Sequence, residues 1–382
     1  MNTLEYYKKH QGQLETKAKH PIKTQQDLAT AYSPGVAEPC KHITKHPEAV
    51  HTHTLKARTV AIITDASAVL GLGNLSPYAS IPVMEGKAVL LKEFANLDAF
   101  PIALNTKETN KIIETTTHIE PVFAAINLED IQAPKCFEIE QQLDKQLNIP
   151  VFHDDQHGTA IVVQAALHNA LNLTNKQLQT SKIVINGAGA AGVAITKLLH
   201  QAGARNLVVC DRQGSIHNKR KNLPKHKQEL AQLNTNNHTG TLHEVLNQAD
   251  VFIGVSAPNL LEAKHIQTMN QEPIIFALAN PEPEITPKEA KKGGASITAT
   301  GRSNDNNQIN NVLAFPGIFK GAIAAQATTI NNEMKQAAAH ALANHTTPTK
   351  EQLLPQALDK TLAQTIANAV EQAAKKTNVT RK

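Results

Sequence analysis

The stretch from Lys182 to Gly192, KIVINGAGAAG, decides the fold of the second half of the chain. An apolar run typical of a buried strand leads directly into the glycine pattern G-x-G-x-x-G, which opens an alanine-rich helical segment. Such a pattern is a weak signal by itself. Here Asp211 also ends the next apolar run, at the distance expected of the residue that meets the ribose of a dinucleotide. The stretch therefore predicts a Rossmann-type, doubly wound domain.

The small residues of this loop have distinct predicted roles. Gly187 permits the tight turn, Gly189 lets a pyrophosphate approach the backbone, and Gly192 lets the helix lie close to the strand. The pyrophosphate would face the amino end of that helix. The predicted cofactor-binding residues here are Gly187, Ala188, Gly189, Ala190, Ala191, Gly192 and Asp211.

The choice between NAD and NADP is less sharply defined by the sequence. Asp211 favours the free ribose hydroxyls of NAD. Arg212 and the basic run that follows it could instead accept the extra phosphate of NADP. NAD is slightly favoured, and the densest basic run, residues 219–227, is expected to be a solvated loop.

Upstream of this domain, the segment from Val151 to Ala160 reads VFHDDQHGTA. Its apolar start indicates the end of a strand, Asp154 and Asp155 follow, and Gly158 is expected to open an apolar helix. Adjacent carboxylates repel each other, so a shared pocket requires a cation or a proton. We therefore predict a metal site here, at the boundary between domains of residues 1–155 and 156–382.

A second pair of adjacent acids, Glu129 and Asp130, follows the apolar run FAAIN. Taken alone, such a pair more often caps the next helix. Parallel sheets, however, place their sites beyond the carboxyl ends of the strands, where the two acid pairs would meet. Carboxylate oxygens select Mg2+ or Mn2+ rather than zinc. A zinc pair formed by His153 and His157 is disfavoured, because the H-E-x-x-H motif needs a continuous helix with Glu in second place.

The first half of the chain alternates apolar runs with helical segments, which indicates an α/β domain with a parallel sheet. The predicted strands cover residues 59–64, 100–104, 123–127 and 150–152, and the predicted helices cover 24–31, 82–94, 111–119 and 134–147. The helix at 24–31 has a capping box of Thr24 and Asp27. The predicted fold is thus α/β with two domains: an N-terminal domain of parallel strands and a Rossmann-type domain ending in helices over residues 324–376.

The composition excludes several classes of protein. A chain of 382 residues is long enough for two cores. The net charge of +5 is mild, and no aromatic residues interleave with the basic ones, so nucleic acid is not an expected partner. The three cysteines are far apart, which indicates a reducing compartment. No stretch approaches the ~20 apolar residues of a membrane span. We expect a cytoplasmic protein without a membrane partner.

Collinear segments throughout the chain resemble the malic enzymes, specifically their short-subunit bacterial branch. The matching segments are AYSPGVAEPC (31–40), LGLGN (70–74), PVMEGKAVL (82–90), INLEDI (126–131), PVFHDDQHGTA (150–160), VINGAGAAG (184–192), FIGVSAP (252–258), FALANP (276–281), ATGRS (299–303) and NNVLAFPG (310–317). The resemblance implies metal-dependent oxidative decarboxylation of L-malate to pyruvate and CO2 with NAD or NADP, and also decarboxylation of oxaloacetate. It further implies a homodimer or a higher homo-oligomer.

The resemblance also implies roles for single residues. Glu129, Asp130 and Asp155 are the implied ligands of Mg2+ or Mn2+. Lys87 is the implied general base, with a pKa lowered by the metal and by burial, and Tyr32 is the implied general acid.

The remaining implied roles concern the substrate. Lys87, Asn280 and Asn311 are expected to bind it, and Asn280 also meets the nicotinamide. Asp154 is expected to support the metal site without ligating the ion, as a partner of Lys87.

Some positions depart from the family pattern. Ala68 stands where long-subunit members carry an arginine that clamps the substrate carboxylate. The clamp is therefore unassigned in this chain, and Arg302 is only a guess for it. Ala66 stands where glycine is more usual. Two alternative functions are left: a dehydrogenase of another hydroxy or amino acid, which would not need a metal, and a dinucleotide-binding module without turnover.

Overall fold

Two separate sheets, one in each half of the chain, organise the fold. They are seen in a computed structural model that describes residues 2–69, 71–302 and 304–381. Leu70 of the LGLGN segment and Ser303 of the ATGRS segment lie outside the described residues.

The first sheet has four parallel strands in the order β2-β1-β3-β4. The strands are β1 (Thr59–Thr64), β2 (Asp98–Ala103), β3 (Ala125–Leu128) and β4 (Val151–His153). Ile63 pairs with Leu128, and Leu128 pairs with His153. The carboxyl ends of β1, β3 and β4 therefore lie side by side, and the two predicted acid pairs leave the sheet at one edge.

Seven helices accompany this sheet among the described residues. They are α1 (Thr3–His10), α2 (Gln25–Ala31), α3 (Ala37–Lys45), α4 (Val50–His53), α5 (Pro77–Ala95), α6 (Thr109–Ile119) and α7 (Lys135–Gln146). The predicted capping box of α2 is confirmed, since the Thr24 side chain accepts from the Asp27 amide and Asp27 accepts from the Thr24 amide. Helix α5 begins before the predicted residue 82 because Ser76 caps it and Pro77 fills its first turn.

The second sheet has six strands in the order β10-β9-β8-β5-β6-β7. They are β5 (Lys182–Asn186), β6 (Asn206–Asp211), β7 (Gly214–Ser215), β8 (Val251–Gly254), β9 (Ile274–Ala277) and β10 (Ile297–Thr300). All pairs are parallel except that of β6 and β7. The chain builds outward from β5 in one direction and then from β8 in the other, which confirms the doubly wound fold and puts its binding crevice beside β5 and β8.

The helices of the second half surround this sheet. They are α8 (Asp154–Leu173), α9 (Ala190–Gln201), α10 (Lys225–Leu233), α11 (Leu242–Leu246), α12 (Ala263–Ile266), α13 (Pro287–Lys292), α14 (Phe315–Ala324), α15 (Asn332–Ala343) and α16 (Leu362–Lys376). The prediction that Gly158 opens α8 is wrong. The helix starts at Asp154, so Asp154 and Asp155 lie in its first turn, where the helix dipole favours negative charge.

One apolar core joins the two halves. It contains Met84 of α5, Phe152 of β4, Ile161 of α8 and Phe319 of α14. The rings of Phe152 and Phe319 meet edge to face, with centroids 5.6 Å apart. A boundary at residue 155 would fall inside the first turn of α8, and the division into 1–155 and 156–382 stays a prediction. No helix among the described residues is long and apolar enough to cross a membrane.

The turn after β1 has a residue under backbone strain. Ala66 is buried and has φ of +56°, a left-handed conformation that costs a residue with a Cβ roughly 1–2 kcal/mol. We expect Ala66→Gly to raise the free energy of unfolding by roughly 0.5–1 kcal/mol, measured by urea denaturation, since part of the relief is offset by the greater freedom of glycine in the unfolded chain.

The matched control is Ala68→Gly in the same turn. Ala68 is not among the described residues with a positive φ, so this variant should be neutral or less stable. A lower stability for Ala66→Gly than for the unmodified chain would contradict the prediction.

Candidate active site

Three carboxylates converge at the edge where β3 and β4 end. Glu129 and Asp130 follow β3, and Asp155 lies in the first turn of α8. Each offers an oxygen within 4.8 Å of the others, and Glu129 and Asp130 are buried. Like charges at this separation repel strongly in a buried site. The donor set fits a hard divalent cation such as Mg2+ or Mn2+, and the structure brings all three predicted ligands together.

Hydrogen bonds hold this cluster in shape. The Asp130 amide donates to Asp155 Oδ2 at 2.8 Å, which links the β3 loop to α8. The Asn127 side-chain amide donates to Glu129 Oε2 at 2.8 Å. In the turn after β1, the Ala68 amide donates to the Asp130 carbonyl at 2.9 Å. Three strand ends therefore position the ligands.

Glu129 and Asp130 do not cap the next helix, which was the alternative role considered for them. Helix α7 begins at Lys135 with Pro134 before it, and no side chain caps it in the described chain. His153 and His157 do not form a zinc pair either. His157 Nε2 lies 2.9 Å from Glu140 Oε2, whereas the ring of buried His153 lies 3.8 Å from Asp155 Oδ2.

Lys87 provides the positive charge beside these acids. Its Nζ donates to Asp154 Oδ2 at 2.6 Å and lies 3.0 Å from Glu129 Oε1. Burial by itself lowers the pKa of Lys87, but the carboxylates of Asp154 and Glu129 outweigh burial and raise it. The expected lowering of this pKa depends on a bound metal and stays a prediction; without an ion, the raised pKa of Lys87 favours its ammonium form, which offsets the charge of its neighbours.

Asp154 is fully buried between Lys87 and Asn311. The Asn311 side-chain amide donates to Asp154 Oδ2 at 2.5 Å. Burial raises the pKa of Asp154 to about 6, in spite of Lys87. A Cβ on Gly158 would lie 1.9 Å from Asp154 Oδ1. Gly158 therefore leaves room for this carboxylate, a reason that the sequence pattern did not show.

The glycine loop has the geometry predicted for a dinucleotide site. Gly187 has φ of +128°, and its amide donates to the Cys210 carbonyl at 2.9 Å. A Cβ on Gly192 would lie 1.7 Å from the Gly187 carbonyl oxygen. A glycine at this position therefore lets helix α9 lie close to the loop, as predicted. Apart from Gly189 and its two neighbours in the chain, no described residue has an atom within 4 Å of a Cβ built on Gly189, so the backbone is open to a ligand at this point.

A cavity of about 610 Å³ connects the glycine loop with the acidic cluster. The predicted site residues that line it are Asp155, Gly189, Ala190, Ala191, Asn280 and Asn311. Glu129, Asp130 and Lys87 are buried and are not among its described lining residues. Glu129 and Asp130 share a cluster with Asp155, which lines the cavity. Gly187 and Ala188 form the turn that leads to Gly189.

Glu284 is a site residue that the sequence analysis missed. Its side chain is buried, with Oε1 accepting from the Ser256 amide and Oε2 from the Ala279 amide, both at 3.0 Å. It thereby ties together the loops after β8 and β9, and Ser256 and Ala279 line the cavity. Burial raises the pKa of Glu284. No local motif marks it, because its partners are backbone amides.

The basic run near the predicted ribose-binding residue Asp211 is not wholly the solvated loop that was expected. Asp211 ends β6 as predicted, but it forms ion pairs with Arg220 at 3.0 Å and Lys227 at 2.7 Å. Burial opposes them, yet these cations hold the pKa of Asp211 at about 2. Two members of the basic run are therefore fixed against β6. Arg302, the guess for a substrate clamp, pairs with exposed Glu282 at 3.4 Å.

The fold of this chain does not place Tyr32 beside the other predicted catalytic and metal-binding residues. It lies at the carboxyl end of α2 and is 69% exposed. It is not among the described residues that line the cavity.

Two family models match the chain. "Malic enzyme, NAD binding domain" matches residues 156–375, and "Malic enzyme, N-terminal domain" matches residues 11–144. The chain belongs to the malic enzyme family. This confirms the family resemblance found in the sequence.

Relatives along the whole length agree. The bifunctional malic/malolactic enzyme of Bacillus subtilis is 52% identical over 99% of this chain and 93% of its own length. The NADP-dependent malic enzyme of Halomonas elongata is 45% identical over 99% of this chain and 94% of its own length. The crystal structure of the NAD-dependent malic enzyme of Thermotoga maritima superposes with a TM-score of 0.95 at 45% identity, over 97% of this chain and 99% of that one.

The acidic cluster of this malic enzyme predicts a measurable loss of metal affinity. We expect Asp155→Asn to weaken Mn2+ binding at least about tenfold, because one of three anionic ligands becomes neutral. Titration calorimetry with Mn2+ alone measures this. Glu138→Gln on the exposed side of α7 is the control and should bind Mn2+ like the unmodified chain. Equal affinities for Asp155→Asn and the control would argue against a metal at this cluster.

Proposed function

We propose that the chain catalyses the metal-dependent oxidative decarboxylation of L-malate to pyruvate and CO2, with reduction of NAD or NADP. One observation carries the proposal: Asp155, a member of the cluster of three carboxylates, and the open glycine loop line the same cavity. A hydride acceptor and a chelated hydroxy acid would thus be adjacent. Decarboxylation of oxaloacetate, which uses the same metal site, belongs to the proposal.

The proposed division of labour follows the contacts. Glu129, Asp130 and Asp155 would hold the divalent ion, and metal binding there supplies Lewis acidity for both the oxidation and the decarboxylation. Lys87 would accept the proton of the substrate hydroxyl. To do so it must first release its own, and Asp154 at 2.6 Å is the adjacent acceptor.

Asparagine side chains at the cavity would orient the reactants. Asn311 lines the cavity and donates to Asp154, so it can contact substrate and fix the partner of Lys87. Asn280 lines the same cavity on the loop after β9 and would meet both substrate and nicotinamide. We propose no residue for the arginine clamp, since Ala68 stands at that position.

An assay with L-malate tests the reaction. We expect absorbance at 340 nm to rise with Mn2+ and either NAD or NADP, and pyruvate to form in equal amount. EDTA should abolish the rise, since the ion is required for both steps. Activity that survives EDTA would favour a dehydrogenase of another class.

Two further measurements sharpen this assay. Lactate is measured beside pyruvate, because the Bacillus subtilis relative is named a malic/malolactic enzyme. Asp155→Ala should lose turnover but keep its affinity for the dinucleotide. A chain that binds dinucleotide but never turns over, with or without Asp155, would be a binding module.

We also propose that the active unit is a homodimer or a higher homo-oligomer located in the cytoplasm. Helices α1, α2 and α3 have no buried residue in the described chain. Apolar side chains on and beside them are exposed, including Leu4 at 83% and Tyr32 at 69%. We propose that a second copy of the chain packs against this surface.

Because Tyr32 lies on this surface and outside its own cavity, we propose that it is the general acid of the partner's site. Mixing inactive Tyr32→Phe and Lys87→Ala chains tests the idea. One site of each mixed dimer would hold both native residues, so activity should return to about a quarter of normal after random exchange. The mixed species is verified with two affinity tags. Mixed dimers without activity would show that the site is not shared.

A further inference from the structure

The carboxylate of Asp211 has its hydrogen-bonding capacity filled by the protein itself. Oδ1 accepts from the Gln213 amide at 2.9 Å and from Arg220 Nη1 at 3.0 Å. Oδ2 accepts from Arg220 Nη2 at 3.0 Å and from Lys227 Nζ at 2.7 Å. A carboxylate has about four acceptor positions. A ribose hydroxyl that needs an acceptor here therefore finds none.

This carboxylate lies where a Rossmann-type fold meets the adenosine ribose. Asp211 is the last residue of β6, the strand next to β5. The carbonyl of the preceding residue, Cys210, accepts from the amide of Gly187, the first glycine of the dinucleotide loop. An aspartate in this place usually indicates NAD, because it accepts hydrogen bonds from the ribose hydroxyls. Here that interaction would require Arg220 or Lys227 to be displaced.

Lys227 has donors to spare, and Arg220 keeps its Nε–H outside the contacts that it makes in the described chain. A lysine ammonium has three N–H donors, and within the described chain Lys227 uses one, toward Asp211. Arg220 donates from both Nη atoms to Asp211 and also to the Ser215 carbonyl and the Gln213 side chain. The side chains of Arg220 and Lys227 are 15% and 25% exposed, so both are held in place and still accessible.

The charge balance also favours an anion. Arg220 and Lys227 contribute two positive charges against the single negative charge of Asp211, and exposed Arg212 follows Asp211 in the chain. The repulsion between Asp211 and an incoming phosphate is thus outweighed at close range. Paired arginine and lysine side chains are suited to phosphate, which accepts charge-assisted hydrogen bonds.

We propose that Arg220 and Lys227 bind the 2′-phosphate of NADP, and that the chain accordingly prefers NADP to NAD. Asp211 is then a positioning residue, which holds the two cations instead of contacting the ribose. The inference rests on the proposed function, in that a nicotinamide dinucleotide must bind at the glycine loop. It reverses the slight preference for NAD indicated by Asp211 in the sequence.

Binding of two adenosine fragments tests the proposal without any turnover. Titration calorimetry compares 2′,5′-ADP, which has a 5′-phosphate and a 2′-phosphate, with 5′-AMP, which differs from it only in lacking the 2′-phosphate, in the absence of malate and metal. We expect 2′,5′-ADP to bind at least about tenfold more tightly, given the strength of hydrogen bonds between charged groups. Equal binding of the two fragments, or tighter binding of 5′-AMP, overturns the proposal.

Variants identify the residues responsible. Lys227→Gln and Arg220→Gln should each weaken binding of 2′,5′-ADP by about tenfold or more and leave binding of 5′-AMP within about twofold. Lys221→Gln is the control, since this exposed lysine of the same run has no contact with Asp211 in the described chain. Lys227→Gln is the primary variant if loss of the Arg220 contacts impairs folding, which circular dichroism would show.

Asp211→Asn separates the two roles of this residue. If Asp211 bound the ribose hydroxyls, the variant would weaken binding of 5′-AMP and NAD selectively. If it is a positioning residue, the variant should leave binding of 5′-AMP unchanged and alter that of 2′,5′-ADP alone; selective loss of 5′-AMP binding would overturn the proposal. A chain that discriminates the fragments but does not oxidise malate would refute the proposed function and leave this inference standing. Malate oxidation with a preference for NAD would refute this inference and leave the proposed function standing.

Discussion

Mutual repulsion among buried carboxylates is the constraint on which the rest of the site depends. Glu129, Asp130, Asp154 and Asp155 lie together where the first sheet meets α8. Lys87, itself 8% exposed, bonds to two of them. The amino end of α8 adds a favourable partial charge. A divalent ion held by Glu129, Asp130 and Asp155 would offset two more of the four negative charges, so the stability of the site and its proposed chemistry have the same electrostatic requirement.

This constraint links the two halves of the chain. Asp155 bonds to the amide of Asp130 at one end of α8, and the apolar faces of the same helix enter the core beside the second sheet. The cavity is therefore lined by residues from both halves, and its lining includes Asp155 of the acidic cluster and Gly189 of the glycine loop. Buried Glu284 keeps the loops after β8 and β9 at fixed spacing on the cofactor side.

Much of the architecture was predictable because it depends on local patterns. The apolar run of β1, the capping box of α2 and the glycine loop after β5 all lie within a few residues of one another in the chain. Predictions of helix starts failed where a second local signal, earlier in the chain, began the helix instead. Gly158 indicated a helix start, but two acids already begin α8, and the glycine instead leaves space for Asp154. Pro82 indicated a helix start too, although Ser76 and Pro77 begin α5 earlier.

By itself, the sequence determined the fold class, the dinucleotide loop and the two pairs of acids at strand ends, since strand ends and glycine spacing express these features directly. Only the tertiary structure decided which charges meet. Lys87 and Asp154 are 67 residues apart, and Ser256 and Glu284 are 28 apart. Arg220 and Lys227 looked like members of a solvated loop until the fold placed them on Asp211. Such contacts arise from the packing of separate elements, and electrostatic partners of this kind leave no periodic signal in the chain.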